Sequence, residues 1–174
     1  MRFARLLSLA VLLFTGCAGY QIGPIKPTRM AKVHTIAVPN FRNDTMYPRL
    51  ETMLATAVIK QIQQDGTYQI ARDNDADVVL QGRVEQVLSS PLRSVRGNLL
   101  LTREYQLTIR CSYKITERTS GAIIDNGMVF GQTSFFVSGD DPISADINQD
   151  QTPALPLAAE ALAKDLVSRL SEGW

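Results

Sequence analysis

"REYQLTIRCSYKIT", residues 103–116, alternates without a break. Tyr105, Leu107, Ile109, Cys111, Tyr113 and Ile115 form one row; Glu104, Gln106, Thr108, Arg110, Ser112 and Lys114 form the other. Period two means a strand. Alternation sustained this long requires a sheet with one face on a core and the other on water or a polar partner.

The flanking segments extend the pattern. "ERTSG" (117–121) supplies a hairpin turn, and "AIIDNGMVFGQTSFFV" (122–137) runs back as a strand. Upstream, "ADVVLQGRVEQVL" (76–88) sets Val78, Leu80, Gly82, Val84 and Leu88 on one side. Earlier still, Val33, Ile36 and Val38 form a β-branched run closed by Pro39. Between these strands the period changes. Pro48 can open a helix, Leu50, Met53, Leu54, Ala57, Val58 and Ile62 recur at helical spacing, and Gly66 stops it. "PALPLAAEALAKDLVSRL" (153–170) repeats the pattern, with Leu155, Ala158, Ala159, Leu162, Leu166 and Leu170 on one face. The order β-α-β-β-β-α predicts an α+β domain over residues 32–174. It is a two-layer sandwich in which two helices cover one face of a four-stranded mixed sheet. The opposite sheet face stays open and polar, with Gln106, Thr108, Ser112 and Thr116 around Arg110 and Lys114.

The amino-terminal segment has a different character. Arg2 and Arg5 precede the nine-residue apolar run Leu6–Phe14, far short of the roughly 20 residues that a membrane span needs. A basic start, a short apolar stretch and small residues describe a signal peptide. Here Thr15-Gly16 leads directly into Cys17, whose thiol can accept a diacylglyceryl group. The arrangement resembles a bacterial lipobox, with Phe14 where leucine is usual. It implies a signal peptide over residues 1–16, cleavage after Gly16, and Cys17 as the lipidated first residue. "AGYQIGPIKPTRMAK" is rich in Gly and Pro and aperiodic, so residues 17–31 read as a lipidated, mostly extended tether. Ala18 lacks the aspartate that retains many lipoproteins at the inner membrane. The expected location is therefore the outer membrane, on its periplasmic side, anchored by lipid.

Composition narrows the function. With 18 Lys and Arg against 17 Asp and Glu, the charge is balanced and gives no basis for a nucleic-acid partner. Beyond Cys17 only Cys111 remains, so no intramolecular disulfide is available. On the apolar side of its strand, Cys111 reads as an inert buried thiol. His34, the single histidine, would have to serve any Ser-His-Asp or Cys-His relay; inside a strand it reads as a packed structural residue. Asp146, Asn148 and Asp150 begin like a calcium loop, but its sixth and twelfth places hold Gln151 and Leu157 instead of Gly and Glu. No metal, cofactor or enzymatic constellation emerges. What remains is the basic hairpin "SSPLRSVRGNLLLTR" (89–103), where Arg93, Arg96 and Arg103 surround Leu92, Val95 and Leu99–Leu101. It suits an anionic amphiphile, and it also fits a solvated loop.

Several stretches together resemble the lipopolysaccharide-assembly lipoprotein family LptE. They are "GCAGY" (16–20), "HTIAVPNFRNDTMYPRLETMLATAVIKQI" (34–62), "ADVVLQGRVEQV" (76–87), "REYQLTIRCSYKI" (103–115) with "SGAII" (120–124), and a carboxy-terminal helix ending near Trp174. The resemblance implies a non-enzymatic outer-membrane lipoprotein that plugs an LptD-type β-barrel and assists insertion of lipopolysaccharide into the outer leaflet. It implies lipopolysaccharide contacts through basic residues at the loop end of the sheet, where Arg93 and Arg96 stand. "IAVPNFRN" and "ADVVLQGRV" also resemble the CsgG and LpoB lipoproteins, which implies instead a secretion-pore component or an activator of a peptidoglycan synthase.

Overall fold

The structure, a computed structural model, describes residues 26–95, 98–137 and 150–172, with the side chains of 93–95 and 98–103 outside that description. Among the described residues eight strands and α-helices follow in order: β1 (Thr35–Ala37), β2 (Arg42–Asn43), α1 (Leu50–Asp65), β3 (Gln69–Ile70), β4 (Val78–Val95), β5 (Asn98–Glu117), β6 (Ile123–Phe136) and α2 (Leu155–Glu172). The sheet runs β3-β1-β4-β5-β6, and β2 takes up the lane beside β4 where β1 leaves it. β1 is parallel to β3 and β4, whereas β4, β5 and β6 form an antiparallel meander. The fold is the expected α+β sandwich on a mixed sheet, but with six strands rather than four. The two additions, β2 and β3, are two residues each, too short to print a period on the sequence.

Both helices cover one face. Val78, Leu80 and Val84 of β4, Leu107, Ile109, Cys111 and Ile115 of β5, and Val129 of β6 are buried there. Leu54, Val58 and Ile62 of α1 and Ala158, Leu162 and Leu166 of α2 meet them in one core. At Gly131 the backbone of β6 meets α2 directly: a Cβ there would lie 2.0 Å from the carbonyl oxygen of Ala158. α1 ends as expected, with Gly66 at φ 75° donating its N–H to Ile62. Its start differs, because Pro48 sits in a turn and Arg49, at φ 66°, precedes the first helical residue.

Alternation in β4 changes phase at Glu85. Val84 opposes Cys111 and Gln86 opposes Arg110, which leaves Glu85 as the extra residue of a bulge. A single inserted residue exchanges the two faces. Val87 therefore packs on the core, and Leu88, expected among the buried row, is 51% exposed. β4 and β5 then run on together to Val95 and Asn98, with β6 alongside β5 as far as the Glu104–Phe136 pair, so most of the expected basic loop is strand. Above the bulge, Ser89 donates to Oε1 of buried Gln151 at 2.8 Å, and Nε2 of Gln151 donates to the Tyr47 hydroxyl at 2.6 Å. These bonds tie the approach to α2 to the sheet.

The end of the expected tether is part of the domain. Met30 is 1% exposed in the core, at the end of a short 3₁₀ turn, Thr28–Met30. Lys26 donates to the carbonyl of Val33 and lies 4.8 Å over the Tyr68 ring. Arg29 pairs with Asp125 at 2.7 Å, and Asp125 accepts from the Tyr113 hydroxyl. Burial first, then the neighbouring Asp125, push the Tyr113 hydroxyl up to about 12.

Candidate functional site

The open face of the sheet can be written as rows from the strand register. Gln81, Lys114 and Asn126 make one row; Arg42, Arg83, Ser112 and Met128 the next; then Gln86, Arg110 and Phe130; then Leu88, Thr108 and Gln132. The residues expected on this side of β5 are there, but the face is not uniformly polar. Phe130 is 44% and Phe136 is 68% exposed, beside Leu88. In β6 both alternating rows contain large apolar residues, Met128, Phe130 and Phe136 in one, Val129 and Phe135 in the other. Sequence alternation alone therefore cannot say which row meets the helices. Contact between Gly131 and α2 decides it.

Arg110 stands at the centre of the face and is held from three directions. Its Nε lies 3.6 Å from a carboxylate oxygen of Glu85 and donates to the sulfur of Met128, while the guanidinium sits 5.8 Å over the Phe130 ring. The bulge at Glu85 brings that carboxylate within reach.

A groove lies beside this cluster. After β1 the chain swings outward through Pro39 and Asn40, places the Phe41 ring against Gly82, and returns as β2. A Cβ at Gly82 would lie 2.3 Å from that ring, so only glycine admits it. Pro39, Asn40 and Arg42 wall the groove, and Gln81, Arg83, Ser112 and Lys114 floor it. Asp44 accepts from Nε of Arg42 at 3.0 Å and from Nε of Arg83. The Arg83 hydrogen bond foremost, and Arg42 after it, hold the Asp44 carboxyl below its ordinary range against partial desolvation. Two guanidinium groups are thus braced side by side on one carboxylate.

The other singled-out residues divide as follows. His34 is exposed just before β1, not packed, and no side-chain partner within the described residues gives it a relay; only its backbone bonds, its N–H donating to Asp77 and its carbonyl accepting from Gln69. Cys111 is fully buried, and burial pushes its thiol up to about 12. Arg93 stands in β4 opposite Glu104, its side chain outside the description. Cys17, Arg96, Asp146 and Asn148 lie outside the described residues altogether. Among the described residues no three His, Cys, Asp or Glu side chains gather as a metal site, and no helix is long and apolar enough to cross a membrane.

A family model described as "LptE: Lipopolysaccharide-assembly" matches residues 33–170. No curated protein matches the chain significantly. Among solved structures, the PelC dodecamer of Paraburkholderia phytofirmans is 16% identical, with 84% of this chain and 92% of that one covered at a TM-score of 0.52. The hypothetical protein CT253 of Chlamydia trachomatis is 7% identical, over 80% and 96% of the two chains, with a TM-score of 0.54. Protein XCC0632 of Xanthomonas campestris is 13% identical, over 81% and 85%, with a TM-score of 0.53. At such identities these likenesses concern the fold alone.

Proposed function

The chain belongs to the LptE lipopolysaccharide-assembly family, and from that membership we propose an outer-membrane lipoprotein that sits inside an LptD-type β-barrel and assists delivery of lipopolysaccharide to the outer leaflet. In this reading residues 1–16 are removed as a signal peptide, Cys17 carries the lipid, and the chain from Cys17 to Ile25 links the anchor to the docked segment at Lys26. Three acyl chains on Cys17 would exceed the two signals that stable anchoring takes. The protein performs no chemistry of its own; it occupies and shapes a lumen.

The observation that carries the barrel partnership is the open face. Polar residues with Leu88, Phe130 and Phe136 among them are solvent-facing in the isolated chain, and a polar barrel interior is a surroundings that such a mixed face suits. Arg93, in β4 opposite Glu104, and Arg96, the next basic residue along the sequence, are assigned to lipopolysaccharide contact. A match to LptE across 33–170 favours this role over the CsgG- or LpoB-like alternative.

Two experiments test the reading. Photo-crosslinkers at Thr108 and Ser112 should capture an outer-membrane barrel in intact cells; capture of a peptidoglycan synthase or of further copies of this chain would refute the barrel partnership. Cys17→Ala should abolish both cleavage and membrane retention, and a variant that stays cleaved and membrane-bound rules out lipidation at Cys17.

A further inference from the structure

We propose that the groove beside β2 is an anion site for a phosphate monoester carried on a sugar, gripped by Arg42, Arg83 and Lys114. Asp44 is the organising group. It takes the Nε of both arginines, which leaves the terminal nitrogens of each guanidinium with no hydrogen bond or ion pair among the described residues. Braced guanidinium groups present forked donors in fixed orientation, the geometry that binds phosphate best. Lys114 lies diagonally across the β4–β5 ladder from Arg83, which opposes Ser112, so the two residues stand roughly 7–8 Å apart, with their Cβ atoms somewhat closer. Long side chains converge easily over that distance.

Charge identifies the ligand. Arg42, Arg83 and Lys114 against Asp44 leave a surplus of two positive charges, and neighbouring Arg110 is already matched by Glu85. A phosphate monoester carries about −1.5 to −2 at neutral pH, with three acceptor oxygens. A single carboxylate supplies half that charge and fewer acceptors. The neutral donors Asn40, Gln81 and Ser112 share the groove and suit sugar hydroxyls. The sugar assignment rests on the family's cargo, a phosphorylated glycolipid, whereas the anion site itself rests only on the groove. It lies near the start of β4, away from Arg93 towards the other end of that strand.

The test uses the full chain in nonionic detergent and follows ³¹P line broadening. Glucosamine 1-phosphate should bind saturably and more tightly than inorganic phosphate, and unphosphorylated glucosamine should not compete. Arg83→Gln should weaken the sugar phosphate at least tenfold, a loss expected for a charged, forked contact. Arg83→Lys keeps the charge without the fork and should fall between the two; wild-type affinity there overturns the braced cradle. Arg118→Gln, far down the same molecule, should bind as wild type. Should Arg83→Gln unfold by circular dichroism, Lys114→Gln carries the test, since the Lys114 side chain makes no hydrogen bond or ion pair within the described residues. Unchanged binding by Lys114→Gln in a folded protein overturns the site. Binding of phosphatidylglycerol vesicles without the sugar phosphate overturns the sugar assignment, and binding of polyglutamate without either phosphate assigns the groove to an acidic protein segment and overturns both. Crosslinking to the barrel is read separately, so either proposal can fail alone.

Discussion

Gly131→Ala should be among the most damaging single-methyl additions to this fold. Gly131 lies on the inner row of β6, opposite Ile109. An added Cβ would come 2.0 Å from the carbonyl oxygen of Ala158, 2.7 Å from Cβ of Leu162 and 2.9 Å from its backbone nitrogen. Two of those three atoms belong to helix backbone, so no rotamer change relieves the contact. Ordinary carbon contacts begin near 3.5 Å, so the strand and α2 would have to separate by roughly 1.5 Å there. A gap of 0.5–1 Å already forfeits about a quarter to a half of a dispersion well, and α2 contributes Ala158, Ala159, Leu162, Leu166 and Leu170 to the core. The cost should approach the upper part of the overpacking range, about 3 kcal/mol. For a chain of 174 residues that is a fall in Tm of about 6–12 °C. Gly127→Ala is the internal control: its Cβ would meet the Tyr113 ring at 2.9 Å, a side chain able to shift, and it should cost about 1 kcal/mol. Denaturant unfolding of both variants, with unchanged m-values, reads the difference. Gly131→Ala melting within about 1 °C of the parent, or Gly127→Ala proving the worse, refutes the close approach of β6 to α2.

Neighbouring residues of β5 test the one-sided sheet. Ile109→Asp buries an uncompensated charge and should cost about 3–5 kcal/mol, whereas Arg110→Asp, which faces solvent beside Glu85, should cost less than about 1 kcal/mol; equal losses in thermal melts contradict the assignment of faces. Asp77 accepts from the backbone N–H groups of His34 and Thr35 at 2.8 and 2.9 Å, and these bonds hold its carboxyl below the ordinary range. Because the folded value lies below the unfolded one, its contribution is complete above the unfolded value, near 4, and disappears as pH falls through the folded value. Asp77→Ala should therefore lose about 1 kcal/mol at neutral pH, discounted for exposure, and the gap to the parent should close in acid; a gap that widens in acid contradicts the sign. Cys111, with its thiol pushed up to about 12, should resist a maleimide at neutral pH until denaturant is added, as read on the Cys111 peptide by mass spectrometry. Labelling of the native protein within minutes would place the thiol outside the core.

The sequence alone determined the elements with enough length to repeat a period. The six apolar positions of β5 from Tyr105 to Ile115 and the stripes of α1 and α2 print their faces in local spacing, because burial on one side of a strand or helix constrains every second residue or every third and fourth. The end of α1 was equally legible, since Gly66 is the residue that adopts positive φ without strain. The likeness to LptE lay in the same stretches, distributed over most of the domain. Tertiary structure decided what local spacing does not encode. The two-residue strands β2 and β3 exist because neighbours offer them a lane. Glu85 shifts the phase of β4 because its partner strand has one residue fewer, so Leu88 turns outward and Val87 inward. Which row of β6 faces solvent depends on α2 at Gly131, and Met30 belongs to the core because the domain leaves a place for it. The pairing of Arg42 and Arg83 on Asp44 likewise joins residues about 40 positions apart in sequence. Periodicity reports how a segment partitions between water and an apolar surface; register, bulges and convergent charges depend on which other segment stands beside it, and only the folded chain supplies that neighbour.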